Sequence, residues 1–277
     1  MKEEEIKKAV REGYAKVAET GCTCYTTESS SCCGGPAVAE DIGKKIGYSA
    51  EEMGEVPEGA NLGLGCGNPV ALATLAEGET VVDLGSGAGF DSFLAAARVG
   101  EAGRVIGVDM TPEMIERARL NAGKGGYSNV EFRLGEIEHL PVADGTVDAI
   151  ISNCVINLVP DKAAVFADAL RILKPGGRLM VSDIVLERDL PDAVRDSVAA
   201  LVGCVAGAVL RDEYLGAMEG AGFERIEVLE DKGFPIGFAP GDATGEAFAR
   251  EMGLSTEGLQ EVADSIKSIS VRAFRPA

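Results

Sequence analysis

The sequence predicts an open α/β fold: a mostly parallel sheet with helices on both faces. Three observations carry that prediction. From Glu79 onward, apolar runs of strand length alternate with stretches of helical spacing. The segment ETVVDLGSGAGFDSFLAA joins one such strand to one such helix through three glycines. The strand after it, RVIGVD, ends in a carboxylate, Asp109.

Residues 3–19 read as a helix, because Ile6, Val10, Tyr14 and Val17 recur at helical spacing in a charged stretch. Its acidic start, Glu3 to Glu5, suits the helix dipole. GCTCYTTESSSCCGG follows, with loop composition and four of the seven cysteines. Residues 36–46 are helical again, 57–68 form a Gly-rich loop, and Pro69 opens a short helix over 69–76. Strands are predicted at 79–84, 104–109, 129–134, 147–152 and 177–184, with helices at 90–100, 112–122 and 161–173. LKPGGRLMVSD, 173–183, reads as a helix end, a tight turn and a strand. Past Leu186 the pattern weakens. Helices are expected at 191–202 and 211–221 and strands at 223–230 and 267–274, while 232–265 gives no clear pattern. The expected organisation is an N-terminal helical extension with a Cys-rich loop (1–56), a core (57–188) and a C-terminal α+β substrate-binding region (189–277) whose last strand completes the core sheet.

Composition removes several function classes. Of 277 residues, 46% are apolar, enough for a substantial core. No apolar run reaches the roughly 18 residues that span a bilayer, and MKEEEIKKAV has no apolar signal region. A soluble, cytoplasmic protein is expected, with no membrane partner. A net charge of -19 repels phosphate backbones, so nucleic acid is not an expected partner. The single histidine, His139, rules out a His-rich zinc site within one chain and reads as a surface residue. No G-x-S-x-G elbow is present. Seven cysteines without a secretion signal are not a disulfide framework; buried apolar packing, metal ligation and redox chemistry remain open for them.

Gly85, Gly87 and Gly89 let the backbone turn sharply and approach a ligand, with Asp83 at the strand end before them. Asp109, 24 residues after Gly85, is placed to accept both hydrogen bonds of a ribose. G-S-G-A-G sets its third glycine one residue earlier than the dinucleotide pattern G-x-G-x-x-G does. In this it resembles motif I of class I methyltransferases, with Asp109 as the acidic residue of motif II. That resemblance implies a Rossmann-like fold with a seven-stranded sheet, and S-adenosylmethionine as cofactor. RLGEIEHLP, 133–141, resembles the family's segment after strand 3, which makes Glu136 the residue near the adenine amine. The cofactor contacts so expected are Asp83, Gly85, Ser86, Gly87, Gly89, Asp109, Met110, Glu136, Ile137 and Asn153. A second glycine cluster, Gly63, Gly65 and Gly67, has no strand before it and reads as a substrate-side loop.

Ligands of open α/β sheets sit at the carboxyl ends of the strands. Cys154 lies just past strand 4, Cys66 in the Gly-rich loop, and Cys204 after strand 5 and its helix, so three thiols are expected to converge there. Singly, each also reads as a small buried hydrophobe. Converging thiols suit soft centres. Zinc would want a fourth ligand, whereas trivalent arsenic takes three sulfurs and keeps a lone pair able to attack a sulfonium methyl.

LGCGNP, DLGSGAGFD, GVDMTPEMI, SNCVINL, LKPGGRLMVSDIV and GCVAGA together resemble the arsenite methyltransferases over most of 60–210. The resemblance implies that Cys66, Cys154 and Cys204 bind arsenic(III). It implies that Cys32 and Cys33 are accessory thiols, and that a thiol reductant such as glutathione or a thioredoxin-like protein takes part. Cys22 and Cys24 match no family position. A monomer suffices for all of this. Two other readings stand beside it: a carbon methyltransferase acting on a quinone-like ring, and a metalloid or zinc binder without catalysis that keeps the cofactor fold.

Overall fold

The computed structural model describes residues 3–20, 35–69, 73–195, 204–233, 253 and 255–277. Cys22, Cys24, Cys32 and Cys33 lie outside the described residues, as do parts of the helices expected at 69–76 and 191–202.

Helices α1 (Glu3–Thr20), α2 (Gly35–Ile46) and α3 (Ala50–Glu55) precede the sheet. The sequence reading missed α3, although a capping box marks its start: Ser49 accepts from the Glu52 amide while the Glu52 carboxylate accepts from the Ser49 amide. The core then alternates β1 (Thr80–Leu84), α4 (Phe90–Val99), β2 (Arg104–Asp109), α5 (Pro112–Gly125), β3 (Val130–Leu134), β4 (Val147–Asn153), α6 (Lys162–Ile172) and β5 (Leu173–Leu186). Each βα boundary has a local cause. Gly89, in a left-handed conformation, opens α4. Pro112 sits at the first turn of α5, and Gly126 closes it in left-handed geometry. Asp161 caps α6 by accepting from the Ala164 amide.

A four-residue helix α7 (Asp192–Arg195), then α8 (Arg211–Ala221), β6 (Glu224–Gly233), α9 (Thr256–Ser265) and β7 (Ile266–Phe274) follow. The seven strands run in the order β3-β2-β1-β4-β5-β7-β6. β1 to β5 are parallel, and β7 enters antiparallel between β5 and β6. This is the Rossmann-like arrangement expected from the sequence. β1, β2 and β4 are almost continuously buried, as strands covered on both faces must be.

β5 differs from its expected form. The strand begins at Leu173, not after a turn. Leu173 pairs with Val147 and Arg178 with Ala149, so residues 174–177 bulge out of the ladder. Gly176, at φ +76°, makes the bulge possible, so the turn read from PGG sits inside a strand. No helix among the described residues is long and apolar enough to cross a membrane.

Candidate active site

β1 pairs with β2 on one side and β4 on the other, so successive connections leave the sheet in opposite directions there. Parallel sheets open a crevice at such a switch point, beyond the strands' carboxyl ends. A cavity lies at this point, walled by Asp83, Gly85, Ser86, Gly87, Asp109, Met110, Ile137, Asn153, Cys154 and Cys204, with Val10 and Tyr14 of α1 across from them.

The glycine turn is built to stay bare. Gly85 has φ +66°, and a Cβ there would meet Val155 Cγ2 at 2.4 Å. Gly85→Ala therefore combines a disfavoured backbone with overpacking and should cost about 2–5 kcal/mol of stability, measured by urea unfolding. An unchanged midpoint would contradict this reading of the turn. Gly87, at φ +51°, lines the cavity, and a Cβ on it would meet nothing within 4 Å, so the turn leaves open space beside it. Asp109 is organised by backbone: Gly87 N donates to Oδ2 at 3.0 Å and Thr111 N to Oδ1 at 2.8 Å. Burial raises its carboxyl against these two bonds. Asp83 accepts from Ser92 Oγ at 2.6 Å and is pushed well above the usual carboxylate range by burial and by Asp91. Ser86 Oγ is buried with no hydrogen-bond partner among the described residues.

Glu136 faces α1 and is absent from the cavity wall, where Ile137 and Glu138 stand instead. Its carboxylate pairs with Lys7 at 2.8 Å, and Lys7 also reaches Glu138 at 2.8 Å. Gly89 is likewise not a wall residue; a Cβ on it would strike Phe93 and Phe132, so it seats α4 on the sheet.

Asn153 joins the two halves of the site. Its Nδ2 donates to Tyr48 Oη at 2.9 Å, Gly67 O at 2.9 Å and Asp91 Oδ2 at 3.0 Å, while its Oδ1 accepts from Cys66 N at 3.0 Å. The Gly-rich loop is thereby pinned to the tip of β4. Gly65 must be glycine for this approach, because a Cβ would lie 2.8 Å from Asn153 Nδ2. Tyr48 donates to Asp91 Oδ1 at 2.5 Å. Sequence reasoning overlooked both Tyr48 and Asp91. An acid in a helix's first turn is ordinary, and only the fold brings Tyr48 to it.

Burial raises the Asp91 carboxyl to about 6, against the bonds from Tyr48 and Asn153. In the unfolded chain it titrates near 3.8. The folded state thus binds this proton more tightly, and the stability it contributes is complete below about pH 4 and lost as pH rises through about 6. Asp91→Asn should shrink the drop in unfolding free energy between about pH 4 and pH 7 by about 1–3 kcal/mol relative to the parent chain. Parallel stability curves for the two proteins would sink the assignment.

The three thiols are buried and unpaired. Sγ of Cys66 and Cys154 and a carboxylate oxygen of Asp183 all lie within 4.8 Å of one another. Cys204 is set beside them: its Sγ donates to the Cys154 carbonyl at 2.8 Å, and Tyr14 Oη stands 3.9 Å from it. Cys66 Sγ donates to Ser182 O at 3.3 Å. Cys154 and Cys204 both adopt left-handed backbone, at φ +57° and +65°, a conformation that non-glycine residues hold only when their surroundings impose it. Burial raises the Cys66 thiol. Cys154 is eased by its contact with Cys204 but ends well above its usual value through Cys66 and burial. Cys204 is raised by Cys154 and by burial. All three therefore rest as neutral thiols. Asp183, deep in β5, gave no sequence signal beyond the SD of the strand.

A family model for a methyltransferase domain matches residues 75–222. An arsenite methyltransferase of Halobacterium salinarum is 51% identical over 231 residues, covering 81% of this chain and 59% of that protein. One from Aquipseudomonas alcaligenes is 35% identical, covering 88% of this chain and 68% of that protein. The chain belongs to the arsenite methyltransferase family. Among solved structures, the arsenic(III) S-adenosylmethionine methyltransferase of Chlamydomonas reinhardtii superposes with a TM-score of 0.60 at 34% identity, covering 87% of this chain and 74% of that one. The chain spans 54–68% of the length of five curated arsenite methyltransferases that it matches. The region matched by the family model includes the glycine turn, Asp109, Cys154 and Cys204, while Cys66 lies before it.

Proposed function

We propose that the chain methylates trivalent arsenic, using S-adenosylmethionine and holding the arsenic on Cys66, Cys154 and Cys204. The observation that carries this reading is three buried thiols, Cys154 and Cys204 on the wall of a cavity built on the glycine turn and Cys66 beside Cys154. The donor set fits the cofactor: Ser86 Oγ has no partner among the described residues, Gly87 leaves open space where a Cβ would stand, and Asp109 is aimed by two backbone bonds. Bound there, S-adenosylmethionine supplies an electrophilic methyl on a sulfonium.

The protein's own part is mostly placement. Asp109 would hold the ribose hydroxyls, Ser86 Oγ would meet the polar end, and Ile137 would pack on the base. The thiols exchange onto arsenic with their protons leaving alongside the displaced hydroxide or carrier thiolate, so no general base is required. Closing all three sulfurs on one atom asks Cys204 Sγ to give up the Cys154 carbonyl. Three sulfurs leave the arsenic lone pair free, and the site positions it toward the methyl carbon. A small thiol, such as glutathione or a thioredoxin-like dithiol, returns the arsenic to the trivalent state, and we place the reaction in the cytoplasm of a monomer.

The test is direct. The protein is incubated with arsenite, methyl-labelled cofactor and reduced thiol, and the products are separated for methylarsenicals. Labelled methylarsenicals support the proposal. Arsenite retained without product would favour a binder, and label passing only to a quinone-like acceptor would favour the carbon methyltransferase.

A further inference from the structure

Asp183 is fully buried in β5, in register with Ile269 of β7. Three neutral donors hold its carboxylate: Asn157 Nδ2 at 2.8 Å and the Ile184 amide at 2.9 Å on Oδ1, and Tyr214 Oη at 3.1 Å on Oδ2. Among the described residues no cation lies within salt-bridge distance of it. Lys162 acts on it only through space, its ammonium donating to Val159 O at 3.3 Å and Gly207 O at 2.8 Å. A buried carboxylate without a paired cation is costly, so its presence calls for a reason.

Its surroundings supply one. The carboxylate sits within 4.8 Å of the Cys66 and Cys154 sulfurs, and it raises all three thiols. Such a charge is wrong for a pocket meant to store thiolate anions. It is right for a pocket whose contents turn positive. Cys154 and Cys204 line the cofactor cavity, whereas Asp183 does not. The order from the cavity inward is therefore cofactor, thiols, carboxylate.

Arsenic held by three thiolates is neutral. As its lone pair forms the arsenic–carbon bond, the carbon–sulfur bond of the sulfonium breaks and leaves its electron pair on sulfur. Arsenic passes from the trivalent to the pentavalent state, the methyl carbon formally takes up the two electrons, and the positive charge moves from sulfonium to arsenic. No proton moves and no other reactant enters. We infer that Asp183 is the fixed negative charge toward which this positive charge moves, so that it stabilises the transition state more than the ground state. This rests on the arsenic methylation proposed above.

Asp183→Asn keeps the shape and removes the charge. With enzyme preloaded with arsenite and cofactor at about pH 8, single-turnover methyl transfer should slow by about 100-fold. Arsenite stoichiometry and cofactor affinity should stay as in the native protein. A readout free of turnover accompanies it. Cys154 of the empty protein is labelled with a cationic and with a neutral methanethiosulfonate reagent, followed by peptide mass. The ratio of the two rates should fall about 10-fold in Asp183→Asn. Tyr214→Phe deletes one donor to the carboxylate, leaves more of its charge unshared, and should transfer methyl at least as fast as the native protein. This arm stands even if Asp183→Asn does not fold. A native-like transfer rate or labelling ratio in folded Asp183→Asn, or a Tyr214→Phe rate as slow as that of a lost charge, overturns the inference alone. Absence of methylarsenicals from the native protein overturns the reading beneath it.

Discussion

Serine in place of Cys154 should lower the rate of arsenite methylation by about 100-fold or more while leaving cofactor binding in place. The exchange is nearly isosteric, and serine accepts the φ of +57° at least as readily as cysteine does. The fold around it therefore persists. What changes is softness: a hydroxyl is a poor partner for arsenic(III), and two sulfurs cannot hold the pyramid that aims the lone pair. Cys154 is the thiol placed both on the cavity wall and beside the other two. Liquid chromatography of methylarsenicals, with calorimetry of cofactor binding on the same preparation, separates the two effects. A fully active variant removes the three-thiol site.

Asp109→Ala should weaken S-adenosylmethionine binding by about 100-fold or more. Two charge-assisted hydrogen bonds to ribose hydroxyls are worth about 1.5–3 kcal/mol each. The variant also strips the Gly87 and Thr111 amides of the carboxylate they share, so the glycine turn loses its anchor. Asp109→Asn keeps one acceptor and should fall between the two. Equilibrium dialysis with labelled cofactor reads the constants directly. Equal affinity in all three proteins would move the ribose elsewhere.

The core was legible where one rule dominates. RVIGVD ends at Asp109 in the sequence reading and in the structure alike, because an apolar run between turn signals fixes both edges of a buried strand. The helix at 112 starts where threonine and proline say it must. The C-terminal layer was harder. β6 alternates half-buried and exposed residues, and its edge position weakens the apolar signal. Within the site, residues next to a motif were readable and those supplied by tertiary approach were not. Tyr48 is 105 residues from Asn153 and Asp183 is 26 from Asn157, and no spacing rule links such pairs. Glu136 shows the opposite limit. The motif locates the segment, but Lys7 of α1 pairs with both acids flanking Ile137, and only the fold puts Glu138 rather than Glu136 on the cavity wall.

β7 gives the thiol pocket a place in time. Ser268 Oγ on that strand donates to the Cys66 carbonyl at 2.7 Å, and Ser270 Oγ meets Ser182 Oγ at 3.1 Å beneath the same loop. Of the seven strands it lies furthest along the chain, so it emerges last in synthesis, after every element around the glycine turn. Until it arrives, β5 has an open edge and the Cys66 loop has no hydroxyl to hold it down. The strands and turn that wall the cavity are thus all synthesised before the strand that tethers the Cys66 loop, so under the proposed function the parts of the methyl-donor cleft precede the last part of the thiol pocket.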